Sequence, residues 1–331
     1  MQKKKNRLSV PQYVNGILNG DRVVLSRAIT LVESSLSSDQ QMADEVIGQL
    51  YSHTGDSLRI GISGVPGVGK STFVDVFGKQ IVELGHRLAV LTIDPSSQRT
   101  GGSILGDKTR MENLARDKRA FIRPSPAGFT LGGVGAKTRE SMLLCEAAGY
   151  NIIIIETMGV GQAETTVKGM VDFFLLLMLA GAGDELQGIK KGIIEIADAL
   201  VITKADGNNL QKASFAKKEF ERALHLFPMD ENGWHPKVKI CSALENKGLG
   251  EIWHMILDFE KEMKANGNFS ANRSRQRLDW MHDHVRFLLE NLFYQNKDVV
   301  EKIKKMEPLV LKGEISSISL ARELVRDFVR E

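Results

Sequence analysis

The sequence predicts an α/β protein: a doubly wound, mostly parallel sheet with helices before it and a helical extension after it. Three observations predict this. Between residues 58 and 242, short apolar runs of strand length alternate with segments of helical spacing, the pattern of a parallel sheet covered on both faces. Glycine-rich turns follow several of those runs, and in such folds ligands gather at the carboxyl ends of the strands. Outside this span the apolar residues recur at three-to-four spacing, which is helical.

In chain order, Tyr13, Ile17 and Leu18, then Val24, Ala28, Leu31 and Val32, then Met42, Val46, Ile47 and Leu50 predict two or three helices over 10–54. Asn19-Gly20-Asp21 and residues 37–39 supply the stops and caps between them. Strands are expected at 58–63, 87–93, 120–123, 150–156, 172–179, 198–203 and 237–242, and a helix at 136–148. A helix over 248–265, with Ile252, Trp253, Ile256 and Phe259 on one face, completes the core before Asn266-Gly267-Asn268 breaks the chain. Beyond it Leu278, Met281, Val285, Leu288, Leu289 and Leu292, and later Ile303, Met306, Ile318, Ala321 and Leu324, predict two or three amphipathic helices. That tail has no strand partner and too little mass for a core of its own. Helical dimerisation and docking back on the same chain are both open to it. The expected segments are therefore 1–56 (helical), 57–265 (the sheet domain) and 266–331 (the helical extension).

Composition narrows the function classes. The 331 residues carry 42% hydrophobic and 26% charged side chains, with 44 basic against 41 acidic. A net charge of +3 is too small for a nucleic-acid footprint. Two cysteines, Cys145 and Cys241, form neither a disulfide framework nor a zinc motif, so the expected compartment is the reducing cytosol. The basic start, Met1-Gln-Lys-Lys-Lys, leads into Leu8-Ser-Val-Pro rather than an apolar stretch and does not read as a signal peptide. The most apolar run, 173–182, is roughly half the ~20 residues a membrane span requires and reads as a buried strand. The seven histidines are scattered, and His282 and His284 are two apart, unable to share a helical face for a metal.

The densest chemical signal is Gly64-Val65-Pro66-Gly67-Val68-Gly69-Lys70-Ser71-Thr72, which fits the phosphate-binding loop template. Glycines let consecutive backbone N–H groups turn toward an anion, and the following helix adds the positive end of its dipole. Lys70 is then expected at the β/γ-phosphates and the Ser71 hydroxyl on Mg²⁺. The fold class becomes that of a P-loop NTPase. Asp94 and Glu156 each stand where an apolar strand meets a loop; either caps the next helix or supplies one of the carboxylates that Mg²⁺ needs. Asp107, at the end of the glycine-rich stretch 100–107, reads either as an N-cap or as part of the magnesium and water shell. A second glycine-rich stretch, 128–135, is expected to be a mobile loop facing a partner. Residues 180–192, with Asp184, Gln187 and Lys190, are either a solvated loop or a nucleotide-responsive switch.

Thr203-Lys204-Ala205-Asp206 closes a strand about 130 residues after the phosphate loop. Its aspartate can accept both N1–H and N2–H of guanine, a pair adenine lacks, while the lysine stem lies on the base plane. Ser242-Ala243-Leu244, after the next strand, reads either as the turn whose amide meets the guanine oxygen or as a plain small-residue turn.

Taken together these residues resemble the MeaB/ArgK type of P-loop GTPases that accompany methylmalonyl-CoA mutase. The resemblance lies in 64–72, Asp94-Pro-Ser-Ser, Thr100-Gly-Gly-Ser-Ile-Leu-Gly-Asp-Lys-Thr-Arg-Met, Glu146-Ala-Ala-Gly-Tyr, Glu156-Thr-x-Gly-Val-Gly-Gln, Asp184-Glu-Leu-Gln-Gly-Ile-Lys-Lys-Gly and Thr203-Lys-Ala-Asp. Thr203 replaces the usual Asn, and Met158 the usual Val. The resemblance implies a homodimeric GTPase that uses GTP/GDP with Mg²⁺, holds no organic cofactor of its own, and binds an adenosylcobalamin-dependent mutase as a chaperone gating cofactor delivery. It also implies roles: Lys70, Ser71 and Thr72 at phosphate and Mg²⁺; Asp94, Asp107 and Glu156 around the metal and attacking water; Asp206 and 242–244 at guanine; 180–192 as a switch in which Lys190 answers the partner. Alternatives share the nucleotide site: an ATP-dependent kinase of an arginine/ornithine transport system, or a chaperone of a related isobutyryl-CoA mutase. A metal-insertion GTPase would need a His/Cys cluster, which Cys145 and Cys241 do not offer.

Overall fold

A computed structural model describes residues 7–34, 36–94, 111–126, 131–157, 163–181, 191–225 and 233–330. Among them are seven strands: β1 (Leu58–Gly64), β2 (Leu88–Asp94), β3 (Ala120–Pro126), β4 (Ile152–Thr157), β5 (Phe173–Leu179), β6 (Ala199–Thr203) and β7 (Lys237–Ile240). They form one all-parallel sheet in the order β3-β2-β4-β1-β5-β6-β7. All seven expected strands are present, within two residues at each end except where β3 runs on to Pro126. The β7 end is short because Ser242 leaves the ladder and pairs with Lys247 instead.

Strands β1, β4, β5 and β6 are buried along almost their whole length, as expected of a parallel sheet with helices on both faces. Leu58, Ile60 and Ile62 of β1 point into the main core with Phe73 and Phe77 of α4 (Lys70–Glu83). The other face of β1 turns on Gly61. A Cβ there would come within 2.8 Å of Phe174 and 2.9 Å of Val167, so glycine permits the close approach.

Three N-terminal helices, α1 (Val10–Leu18), α2 (Arg22–Glu33) and α3 (Ser37–Leu50), precede the sheet. Asp21 caps α2 by accepting from the Val23 and Val24 amides at 2.8 and 3.1 Å, a contact worth about 1 kcal/mol. At the other end Lys137 donates to the Glu33 and Ser34 carbonyls at 2.7 and 3.1 Å, and Arg123 of β3 pairs with Glu33. After α5 (Glu112–Ala115), Lys137 lies on α6 (Leu131–Ala147), which begins five residues earlier than the sequence predicted. The glycines at 132, 133 and 135 thus fall in its first turns rather than in a loop. Gly135 packs closely there, where a Cβ would meet the Thr166 methyl at 3.0 Å.

The foot of β1 holds a buried charge network. Arg59 donates through Nε and Nη2 to Glu146 at 2.8 and 3.1 Å, and Ser57 Oγ and the Gly55 amide bond to the same carboxylate. Beside it Arg273 forks onto Asp172 at 2.8 and 2.7 Å and donates to the Gly55 and Ser57 carbonyls. Bidentate geometry of this kind lets charge be buried without an orphaned partner.

The remaining helices are α7 (Ala163–Lys168), α8 (Lys191–Glu195), α9 (Leu210–Leu224), α10 (Leu249–Ala265), α11 (Asn268–Gln295), α12 (Lys297–Leu311) and α13 (Ser317–Arg330). The chain divides into two compact units, Met1–Gln276 and Arg277–Glu331. In the second unit Asn296 caps α12, and Lys302 ties α12 to Glu323 and Asp327 of α13 at 2.5 and 2.7 Å. Leu278, Met281, Val285, Leu288 and Leu292 of α11 remain exposed in a stripe at three-to-four spacing. No helix among the described residues is long and apolar enough to cross a membrane.

One acid on α6 gives the fold a pH signature. Burial, reinforced by Asp44 of α3 and opposed by Lys137, raises the Glu140 carboxyl from 4.5 to about 7. Folded and unfolded chains both hold that proton below pH 4.5, but above it the unfolded chain releases it first, so stability falls as pH rises from about 4.5 to about 7. Glu140→Gln removes the penalty. Calorimetric melting should find the variant more stable at pH 8, by about 1–3 kcal/mol, and unchanged near pH 4.5; equal shifts at both pH values would refute this.

Candidate functional site

The nucleotide end is built at the carboxyl edge of the sheet, where β1 runs between β4 and β5 and then turns into α4. The turn demands glycine at its root. A Cβ on Gly64 would sit 2.5 Å from the Leu177 carbonyl of β5, so a larger residue would push β1 off its neighbour. Gly67 and Gly69 then adopt φ of +80° and +92°, the left-handed region that glycine enters without strain. The curl brings the Lys70 ammonium back onto the loop, donating to the Gly64 carbonyl at 2.6 Å and the Val65 carbonyl at 3.2 Å. Lys70 is buried. Burial holds its ammonium below the usual lysine range, while the charges of Glu156 and, after it, Glu164 pull the other way.

Ser71 follows on α4, and its hydroxyl donates to Glu156 Oε1 at 3.2 Å. Glu156 stands near the end of β4, in register with Ile62 and Thr92, and is 1% exposed. Next to it Thr157 donates to Ser63 at 2.8 Å, linking β4 to β1. A hydroxyl and a carboxylate here are hard oxygen donors, the kind that Mg²⁺ takes from protein when nucleotide phosphates and water fill its other positions. The donor set therefore fits a nucleotide-bound Mg²⁺. Asp94 ends β2 beside β4, with its side chain outside the described residues. Asp107, Asp184, Gln187 and Lys190 lie outside them as well.

A base-sized recess lies beside the loop. A cavity of about 170 Å³ is lined by Gly69, Phe73, Lys204, Asp206, Cys241 and Leu244, among others. Thr203, at the end of β6, donates to the Val68 carbonyl at 2.8 Å. Lys204 donates to the Gly67 carbonyl at 2.8 Å, so this segment clamps the phosphate loop at two points. Its backbone is held at φ +56°, a conformation rare for a lysine and maintained only where surroundings impose it. Asn209 helps by donating to the Lys204 carbonyl at 2.6 Å.

Asp206 accepts from Ser242 Oγ at 2.9 Å through Oδ2. The same Ser242 Oγ accepts the Glu245 amide at 3.1 Å, and the turn closes through paired Ser242–Lys247 backbone bonds. Ala243 and Leu244 project from this turn, Leu244 with 80% of its surface exposed at the rim. Burial raises the Cys241 thiol to about 12, which leaves it protonated and apolar. A second cavity, of about 510 Å³, opens at the opposite end of β5 around Lys168, Asp198, Phe259 and Arg275. Its Lys168 and Asp198 pair with each other at 2.5 Å.

The structure thus brings Lys70, Ser71 and Glu156 together at one edge, and Thr203, Lys204, Asp206 and 242–244 around the adjoining recess. Glu164 near the start of α7, wholly buried, was not anticipated. Its sequence position marks it only as an acid in a first helical turn, and nothing local separates it from an ordinary dipole partner.

A loop that cradles phosphate, a carboxylate–hydroxyl pair beside it, and a recess with an oriented aspartate define a P-loop nucleotide-binding protein. A family model, Methylmalonyl Co-A mutase-associated GTPase MeaB, matches residues 25–298. The chain belongs to this family, and is a GTPase. The GTPase ArgK of Escherichia coli is 45% identical over 293 residues, 88% of each chain. The mitochondrial methylmalonic aciduria type A homolog of Mus musculus is 43% identical over 334 residues, 98% of this chain and 80% of that one. Among solved structures, that of a LAO/AO transport system kinase superposes with a TM-score of 0.75 at 36% identity, covering 99% of this chain and 100% of that one.

Proposed function

We propose that the protein binds GTP with Mg²⁺, hydrolyses it to GDP and phosphate, and serves as a chaperone of an adenosylcobalamin-dependent acyl-CoA mutase, methylmalonyl-CoA mutase in the first place. The observation that carries the guanine assignment is Asp206 held by Ser242 in a recess that abuts the phosphate loop. One carboxylate aimed at a purine edge accepts two N–H groups from guanine and would face an acceptor in adenine.

The chemistry is positioning and electrostatic stabilisation, not covalent catalysis. Lys70 leaves the Gly64 and Val65 carbonyls for the β/γ-phosphate oxygens, and the loop amides take up their remaining charge. Ser71 and Glu156, joined by Asp94 and Asp107, would hold the Mg²⁺, which when bound spreads the charge of the β/γ-phosphates. Water attacks the γ-phosphorus and the bridging oxygen leaves with GDP. The acids at the strand ends orient that water and Thr72 lies by the phosphates. Lys204 covers the base plane, and Ala243 and Leu244 close its rim.

Residues 180–192, with Asp184, Gln187 and Lys190, then act as the switch that answers the partner. The mutase assignment draws support from the family description and from the name of the mouse relative. The name of the structural neighbour supports a different reading, an ATP-dependent kinase serving arginine/ornithine transport, and an isobutyryl-CoA mutase is a third possible target. The exposed stripe on α11 supports a homodimer: spacings of 3, 4, 3 and 4 between Leu278, Met281, Val285, Leu288 and Leu292 make the seam that two such helices bury against each other. The compartment fitting two buried free cysteines is the cytoplasm.

Three measurements test this. Calorimetric titration should find GDP bound far more tightly than ADP, with Asp206→Ala lowering GDP affinity by about a hundredfold or more and leaving ADP unchanged; an indifferent Asp206→Ala, or ADP preference, supports the kinase instead. Adding purified adenosylcobalamin-dependent methylmalonyl-CoA mutase should raise GTP turnover at least severalfold over a slow intrinsic rate; equal turnover with and without it removes the chaperone assignment. Light scattering should give a dimer for the parent and a monomer for Val285→Glu; a monomeric parent rules the seam out.

A further inference from the structure

Among the described residues two that are not glycine hold their backbone in the left-handed region. One, Lys204, lines the base recess. The other is Asn246, at φ +54°, in the turn that Ser242 and Lys247 close and that carries Ala243 and Leu244 to the rim. Asparagine is among the few residue types that take up this conformation at small cost. The turn leaves the rim at Gly248, at φ +79°, where a Cβ would collide with the Ile240 carbonyl. Its tip is held from the other side: Gln80 Nε2 donates to Asn246 Oδ1 at 2.8 Å. Gln80 lies about three turns along α4, the helix that begins at Lys70. Within the turn the Asn246 amide donates to the Ala243 carbonyl at 3.4 Å, and the neighbouring Glu245 amide donates to Ser242 Oγ, which itself donates to Asp206. One side chain on the phosphate-loop helix is thus joined, through a single turn, to the acid of the recess.

We propose that Gln80 and Asn246 are positioning residues for base recognition: their hydrogen bond fixes the turn that presents Ser242 to Asp206, and so ties the base recess to the helix of the phosphate loop. This rests on the guanine-binding reading above. Asp206 must keep its carboxylate plane in line with the purine edge to accept N1–H and N2–H together, and paired hydrogen bonds weaken quickly as that plane rotates. Ser242 holds the plane through Oδ2. Without the Gln80 contact the tip of the turn is released, and Ser242, Ala243 and Leu244 move with it. Affinity for the base falls, while the phosphate loop, whose reversal is set by its own glycines, keeps its hold.

Calorimetric titration of the full-length protein with GDP and with inosine diphosphate, both with Mg²⁺, tests this, because inosine keeps N1–H and lacks the N2–H group. Gln80→Leu should lower GDP affinity by about fivefold and inosine diphosphate affinity by only about twofold. Asn246→Gly keeps the left-handed backbone and removes the acceptor; it should do the same, and the double variant should be no weaker than either single one. Asn246→Asp retains both the acceptor and the tolerance for a positive φ, and should stay within about twofold of the parent. A general structural defect would weaken both nucleotides alike and would not be recovered by aspartate. Gln80→Leu lies on a helix and carries the test with Asn246→Asp if the glycine variant does not fold. Unchanged GDP affinity in Gln80→Leu, equal losses for the two nucleotides, additive losses in the double variant, or an Asp variant as weak as the Gly one each overturn the proposal. A parent protein that binds no GDP, or binds ADP as well, defeats the guanine reading itself, and the proposal with it.

Discussion

The contact between Gly64 and the Leu177 carbonyl is the constraint on which the nucleotide end depends. Since no Cβ stands between them, β1 can stay beside β5 to its last residue and then reverse at once into α4. The reversal carries Lys70 back over the loop carbonyls and points Ser71 at β4. It also leaves Val68 and Gly67 where Thr203 and Lys204 from β6 can hold them. Three strand ends therefore share a single turn, and each is placed by the register of a sheet that has almost no freedom to slip, because both of its faces are buried.

The charges along β1 are distributed unevenly, and the difference separates scaffold from function. At its foot, Arg59 with Glu146 and Arg273 with Asp172 form two forks that meet each other, the Ser57 hydroxyl, or the Gly55 and Ser57 backbone. Buried charge of that kind favours one arrangement of the chain over its near alternatives, since removing either partner leaves an uncompensated ion in a poorly screened interior. At the top, the Lys70 ammonium donates to the Gly64 and Val65 carbonyls rather than to a carboxylate, an arrangement that fits an end of the strand built around a ligand with charge of its own.

Much of this could be read beforehand, for identifiable reasons. Parallel strands buried on both faces write themselves as apolar runs, so 152–155 and 173–179 were plain in the chain. The phosphate loop and Thr203-Lys204-Ala205-Asp206 were legible because their chemistry demands fixed residue types at fixed offsets. The beginning of α6 was not. Its glycines argue for a loop by propensity, and the close packing of Thr166 on Gly135, which suits a residue without a Cβ inside that helix, is a tertiary contact that the sequence does not record. The partners of Arg59 were equally hidden, since Glu146 lies 87 residues away and a lone arginine in an apolar strand carries no mark of its mate.

What the sequence determined by itself is the set of local instructions: strand and helix periods, the glycines that allow a reversal, the family that these motifs define, and the residue types able to meet phosphate, metal and base. Those follow from near-neighbour geometry, which a linear string records directly. The tertiary structure alone decided which distant side chains come to share a field. That Ser242 steadies Asp206, that Arg273 locks the foot of β1, and that Gln80 meets Asn246 all depend on strand order and on how closely helices approach the sheet. Such outcomes arise from packing the whole chain at once.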